Sequence, residues 1–206
     1  EDRPPKRGLG ERMKEQYERR TRYYLPRRTY TIIRVDGKAF HGVTQSCDRP
    51  FDANFMRAMD DTAIRLMEEI QGARCAFVQS DEVSVLLTDF SEITTDAWFD
   101  GNLQKMVSVS ASVATAAFTA SFERVGLFDS RAFTIPDRTE VENYFIWRQQ
   151  DATRNSIAMA AQALYSHREL LGKSSAEQQE MMFAKGINWD DYTPREKRGT
   201  MIYRAG

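Results

Sequence analysis

The chain has 206 residues, 41% of them hydrophobic and 29% charged, with 12 Phe, 8 Tyr and 3 Trp, which excludes a disordered or collagen-like polymer and suffices for one domain with a sizeable core. No run approaches the roughly 18 consecutive apolar residues of a membrane-spanning helix, and Glu1 to Gly10 lacks an apolar signal region, so a cytoplasmic protein with no membrane partner is expected. The formal net charge of -1 hides an asymmetry: Arg3 to Arg34 holds eleven Lys or Arg against three Glu, and the rest of the chain is acidic, a distribution suited to an anionic partner on one face.

Taken in chain order, Arg7 to Tyr24 reads as an exposed charged helix ended by Pro26, within a basic N-terminal arm of residues 1–28. Thr29 to Val35 is β-branched and apolar, a buried strand stopped by Asp36-Gly37. Residues 42–52 form a loop. In Ala53 to Ile70 the positions Phe55, Met59, Ala63, Leu66 and Ile70 recur at steps of three and four, which predicts an amphipathic helix, with Gly72 to close it. Arg74 to Gln79 and Val83 to Thr88 are short strands separated by Ser80-Asp81-Glu82, a hairpin with an acidic tip. Asn102 to Phe122 alternates Val with Ser like a strand but exceeds any normal strand in length, so a helix is expected. Phe128 to Ile135 is a strand, and Thr139 with Glu142 makes a capping box for a helix running towards Tyr165. Ser174 with Glu177 opens a shorter helix closed by Gly186, and the tail after Thr193 is basic.

The core order is strand, helix, strand, strand, helix, strand, helix: an α+β fold with a ferredoxin-like β-α-β-β-α-β sheet, the layout of a polymerase palm, over residues 29–166, followed by a helical extension with a basic tail over 167–206. In that topology the hairpin tip meets the end of the first strand, so Asp36 and Asp81 converge although 45 residues separate them. Two such carboxylates repel each other unless a cation lies between, and Mg²⁺ suits hard oxygen ligands and phosphate substrates. Gly37 permits close approach of a phosphate or metal, and Lys38 and Arg49 can counter phosphate charge. Cys47 and Cys75 make no CxxC pair, and with His41 and His167 they give no standard zinc spacing.

Ile33-Arg-Val-Asp-Gly-Lys-Ala-Phe-His41, Arg49-Pro-Phe-Asp52, Gln79-Ser-Asp-Glu82, Lys105 to Ser112, Phe128-Asp-Ser-Arg131 and Trp147-Arg-Gln-Gln-Asp151 resemble, in order, the motifs of the histidine-tRNA guanylyltransferase superfamily. The resemblance implies a palm-like enzyme that extends the 5′ end of tRNA in the 3′→5′ direction. A 5′-monophosphate is activated with ATP or GTP, and the 3′-hydroxyl of an incoming nucleoside triphosphate (NTP) then attacks the activated end. It implies two Mg²⁺ on Asp36 and Asp81 with the Gly37 carbonyl, and a nucleotide held by Asp36, Gly37, Lys38, Ala39, Phe40, His41, Ser80 and Asp81. Glu82 is a third carboxylate candidate, although strand alternation points it away from Asp81. Arg49, Asp52 and Lys105 are candidates for a second triphosphate site, and Arg19, Arg20, Arg22, Asn155, Arg195, Lys197 and Arg198 for tRNA. Where the eukaryotic enzymes carry a His-Ile-Asn-Asn-Leu-Tyr-Asn run, this chain has Thr153 to Met159, with only Asn155 kept. That departure is similar to the bacterial-type guanylyltransferase-like branch, associated with templated repair of truncated tRNA 5′ ends. Addition of a single G to histidine tRNA is the alternative, and a homotetramer is implied by resemblance. A nucleotide cyclase and an inactive RNA-binding protein are the readings from other classes. The first lacks its Gly-Gly-Asp/Glu-Glu-Phe hairpin here, and the second is disfavoured by the intact Asp36 and Asp81.

Overall fold

The computed structural model describes residues 8–204, so Arg3 to Arg7 of the basic arm lie outside the described residues. A five-stranded antiparallel sheet runs in the order β4-β1-β3-β2-β5. Its strands are β1 (Tyr30–Gly37), β2 (Ala73–Gln79), β3 (Glu82–Leu87), β4 (Phe128–Ile135) and β5 (Thr200–Tyr203). The first four are the expected ferredoxin-like set. The fifth, from the basic tail, adds a strand beside β2 that its polar flanks did not announce.

Alternation sets what each face does. Ile33 and Val35 of β1, Val83 and Val85 of β3 and Val78 of β2 point into the main core, under α3 (Ala53–Glu69) and α4 (Leu103–Phe122). α3 presents Met59, Ala63 and Leu66, each fully buried. The Ser/Val alternation of residues 107–112 is helical, as length demanded: Ser110 and Ala114 fall on the buried side of α4, where small side chains admit a close approach, and Asn102 caps its start through Lys105 N at 3.2 Å.

The opposite face carries Arg34, Asp36, Glu82 and Ser84 and meets α5 (Arg138–Gln162), where Tyr144 and Ser84 share a hydrogen bond of 2.8 Å. The cap of α5 is Asp137, whose carboxylate accepts from Thr139 N and Glu140 N, so the predicted Thr139 box is displaced by two residues. α5 continues without a break into a second, smaller core, where Ile157 and Ala161 pack with Leu170 of α6 (His167–Leu170), Met182 of α7 (Ser175–Ala184) and Trp189. The Ser174–Glu177 box caps α7 as the sequence predicts. At the N-terminus, α1 (Leu9–Gln16) is shorter than expected and passes into a 3-10 turn at Glu18–Thr21, because none of its residues is buried and nothing holds a longer helix. Two short helices complete the set: α2 (Phe40–Val43), which begins before the predicted loop of residues 42–52 and overlaps its first two positions, and α8 (Pro194–Arg198), which leads into β5. No helix among the described residues is long and apolar enough to cross a membrane.

Candidate active site

β1 ends at Asp36-Gly37, and the β2–β3 turn stands beside it. The turn is tighter than the sequence suggests: Gln79 pairs with Glu82, leaving Ser80 and Asp81 alone at the tip, with Ser80 at a φ of 46°. Gly37 N donates to the Asp81 carbonyl at 3.0 Å. A Cβ placed on Gly37 would sit 2.7 Å from Asp81 Oδ2 and 2.5 Å from the Phe40 ring, so only glycine lets the Asp81 carboxylate close onto the end of β1. Burial, and after it the charge of Asp36, pushes the Asp81 carboxyl up to about 6.

Across the sheet, register sets Asp129 of β4, Asp36 of β1 and Glu82 of β3 side by side. Two arginines, neither of them singled out as a site residue from the sequence, flank this acidic row. Arg131 lies 3.0 Å from Asp129 and 3.9 Å from Asp36. Arg148 of α5 donates to both oxygens of Glu82, at 2.8 and 2.7 Å, and its Nη2 also reaches Asp151 at 2.8 Å. The signal that could have found them is the register itself, two positions along β4 for Arg131, and the helical face of Trp147-Arg148-Asp151 for Arg148.

Glu82 is therefore not a third open ligand. Its carboxylate is buried and receives Arg148 and the Gln79 amide, the latter at 3.2 Å. The structure brings Asp36, Gly37, Ser80 and Asp81 together at one end of an open cleft whose far wall is α5, with Trp147, Asp151 and Asn155. The cleft holds about 650 Å³, within the roughly 300–1,000 Å³ of ordinary ligand sites. Lys38 and His41 are exposed beside it, whereas the Phe40 ring is buried against Phe118 and Phe128 at centroid distances of 5.0 and 4.9 Å and has only backbone to offer a nucleotide. Ala39 bends there with a φ of 55°.

The remaining candidates divide. Asp52 is the cap of α3, accepting from Phe55 N at 2.8 Å and Asp48 N at 2.9 Å, and these amides hold its carboxyl below the ordinary range, so it is spent on the fold. Arg49 is exposed in the same loop. Near it, Arg124 donates to Val43 O at 3.3 Å and to Ser46 Oγ, a cation that no motif in the sequence marks. Lys105 lies on the first turn of α4, whose Leu103 N bonds Tyr23 O, while Phe118, about 20 Å further along the helix, is the residue that packs on Phe40 beside Asp36 and Gly37. Lys197 is corrected: it is buried, with Nζ on Asp190 O at 2.7 Å and Oδ1 at 2.9 Å. Arg195 pairs with Asp60 at 2.6 Å, and Arg198 is exposed. Arg19, Arg20 and Arg22 are exposed on the arm with Tyr17, Tyr23 and Tyr24, although Arg22 pairs with Glu18. Asn155 is exposed on the cleft wall, and Thr153 bonds only its own helix, at Gln149 O, 3.1 Å.

A palm-like sheet with two carboxylates at its active edge narrows the chemistry to phosphate-bearing substrates, and similarity to known proteins agrees. The family model described as Thg1, tRNAHis guanylyltransferase, matches residues 10–136. A bacterial tRNA(His) guanylyltransferase (Thg1)-like protein solved in complex with ATP is 43% identical, with a TM-score of 0.92 over 96% of this chain and 89% of that one. A bacterial Thg1-like protein in complex with GTP is 42% identical, with a TM-score of 0.84 over 95% and 84%. The tRNA(His) guanylyltransferase of Saccharomyces cerevisiae is 26% identical in its crystal structure, with a TM-score of 0.78 over 97% and 94%. The curated tRNA(His) guanylyltransferase of Debaryomyces hansenii is 29% identical over 92% of this chain and 78% of its own length. This chain belongs to the tRNAHis guanylyltransferase (Thg1) family and is a nucleotidyltransferase acting on tRNA.

Proposed function

We propose that this enzyme extends the 5′ end of truncated tRNA in the 3′→5′ direction, choosing each nucleotide by pairing with the opposite strand of the acceptor stem. The observation that carries the chemistry is the closure of the Asp81 carboxylate onto Gly37 beside Asp36. The preference for repair over single-G addition rests on the missing histidine at Thr153 and on the 43% identity to a bacterial Thg1-like protein against 26% to the yeast enzyme.

The donor set fits Mg²⁺: two carboxylates, the Gly37 carbonyl and open space for water and phosphate oxygens, with no competing trio of His, Cys, Asp and Glu among the described residues. Two such ions, when bound, stabilise the attacking and leaving oxygens of an in-line displacement. Asp36 and Asp81 hold that charge at the end of β1, where a cation would offset both the burial that chiefly keeps the Asp81 carboxyl high and the smaller repulsion from Asp36. Activation joins the RNA 5′-phosphate oxygen to the α-phosphorus of ATP or GTP, with loss of diphosphate. The 3′-hydroxyl of the incoming NTP then attacks the RNA 5′ phosphorus, and the nucleoside monophosphate leaves. An end that already carries a triphosphate loses diphosphate instead. Arg131, exposed beside Asp36, is placed to meet phosphate charge once cations occupy the carboxylates. A cytoplasmic homotetramer belongs to the same proposal, by resemblance.

The test is a competition with all four NTPs and Mg²⁺ between a 5′-truncated tRNA and full-length histidine tRNA at equal concentration. Templated filling of the truncated stem should be the faster reaction. Faster addition of G to the full-length tRNA would select the alternative.

A further inference from the structure

The catalytic cleft runs along α5, and its two ends are built differently. Its α5 wall is one row of the helix, with Trp147, Asp151, Asn155 and Gln162. At one end Asn155 and Met159 stand with Gln79 and Ser80 of the β2–β3 turn. Eight residues away, roughly 12 Å along the helix, the other end holds Trp147 together with Arg34 of β1.

Trp147 is the one aromatic ring that lines this cleft among the described residues, and it is 47% exposed, whereas Trp98 and Trp189 are buried. The ring is held in place although water reaches it. The Arg148 guanidinium lies 4.3 Å from its centroid and that of Arg34 6.0 Å, and the Tyr144 ring meets it edge-on at 5.9 Å. Arg148 is itself fixed by Glu82 and Asp151. Arg34 points to a ligand independently. Its Nε is buried with no partner among the described residues, a cost that an acceptor brought into the cleft would remove. An exposed indole braced by two guanidinium groups, beside a donor without a partner, is the build of a platform for a nucleobase.

We propose that the nascent base pair, the base of the incoming NTP on its template partner in the acceptor stem, stacks on Trp147. The inference rests on the templated reading above. The incoming 3′-hydroxyl reacts beside Asp36, and Arg34 precedes Asp36 by two residues on the same face of β1, roughly 7 Å away. The Trp147 ring, next to Arg34, is thus within the span of one nucleotide from the reacting oxygen. The chemistry suits the task. A templated enzyme must accept all four bases at one place, and a ring can do so because every base has a π-face, whereas fixed hydrogen-bonding groups would favour one base. The nucleotide that activates the RNA is not paired with the template and has no need of this platform.

The experiment uses the full chain, Mg²⁺ and a truncated tRNA ending in a 5′-hydroxyl, which can be neither activated nor extended. The fluorescence lost in Trp147→Phe defines the Trp147 signal. That signal should be quenched when the RNA and the complementary NTP are both present, and much less by the NTP alone. Absence of quenching in the ternary mixture, or equal quenching by the NTP alone, would overturn the proposal. Equal quenching by matched and mismatched NTPs, each dependent on RNA, would count against the templated reading and leave the platform in place. Extension of an RNA that already carries a 5′-triphosphate gives a second readout. Trp147→Ala should raise the KM of the templated NTP by about tenfold or more, alike for all four template bases, with a smaller change in kcat, and Trp147→Tyr should recover most of the loss. ATP binding without RNA should be unchanged in both variants. A folded Trp147→Ala variant with the wild-type KM, or one that loses ATP binding to the same extent, would sink the platform.

Discussion

Asp81 and Glu82 are neighbours in sequence and opposites in the fold. Asp81 caps a two-residue turn, leans on Gly37 and faces Asp36, with its carboxyl pushed up to about 6 by burial and repulsion. Glu82 begins β3, points to the face covered by α5, and is held by Nε and Nη2 of Arg148 and by Gln79. The step from the turn into the strand thus separates a carboxylate that awaits a cation from one that already has its own. An unneutralised charge is a binding site in reserve, whereas a satisfied pair is structure, and the difference is invisible in a string of two acids.

The comparison can be broken most severely on the Asp81 side. Asp36→Ala or Asp81→Ala should reduce nucleotide addition by about a hundredfold or more while leaving the fold intact, measured as single-turnover extension of a truncated tRNA alongside circular dichroism. Normal activity in either folded variant would refute the assignment of these carboxylates.

On the Glu82 side the loss should appear in stability. Arg148→Met leaves Glu82 buried without its partner and should cost about 3–5 kcal/mol in denaturant unfolding. The double variant Glu82→Gln/Arg148→Met should recover most of that loss. If Glu82→Gln instead matched Asp81→Ala in lost activity at unchanged stability, Glu82 would belong with the ligands.

The same contrast predicts a pH effect. Because the Asp81 carboxyl is raised from 3.8 to about 6, the folded state binds its proton more tightly than the unfolded chain does. In the presence of a chelator, the stability due to this group should be complete below about pH 4 and lost as pH rises to about 6. Roughly 3 kcal/mol is its upper bound. Asp81→Asn should flatten that part of the profile, and an unchanged slope would show that the carboxyl is not raised.

The smallest change concerns the two basic ends. Arg19, Arg20 and Arg22 lie exposed on the arm, while Arg195 and Lys197 are taken by Asp60 and Asp190. Neutralising the three arm residues should weaken tRNA binding and lower its log–log salt slope by roughly one for each phosphate left without its cation, with NTP affinity unchanged. An unaltered slope would make the arm a solvated surface.

Much of the palm was legible because its elements are local patterns. The α3 stripe from Phe55 to Ile70, the β-branched run before Asp36 and the Ser174–Glu177 box each name their own structure. β5 was not legible. Its ladder partner is the edge of β2, from Cys75 to Val78, far away in sequence. The Asp52 cap was open to misreading for a related reason: an acidic residue before a helix looks the same whether it binds backbone amides or a substrate.

The site divides in the same way. Sequence alone determined the palm topology, the two carboxylates that meet on it and the glycine that makes room for them, because strand order and the period of two are encoded in short apolar runs. Tertiary structure decided which charges are free. Arg148 takes Glu82, Asp190 takes Lys197, and the length of α4 carries Lys105 away from the active end. Gln79 and Asp60, meanwhile, each keep one buried oxygen with no partner among the described residues. The physical reason is that a charge is defined by its partners, and partners at roughly 2.7–3.2 Å, drawn from distant parts of the chain, are chosen by packing after the local pattern has done its part.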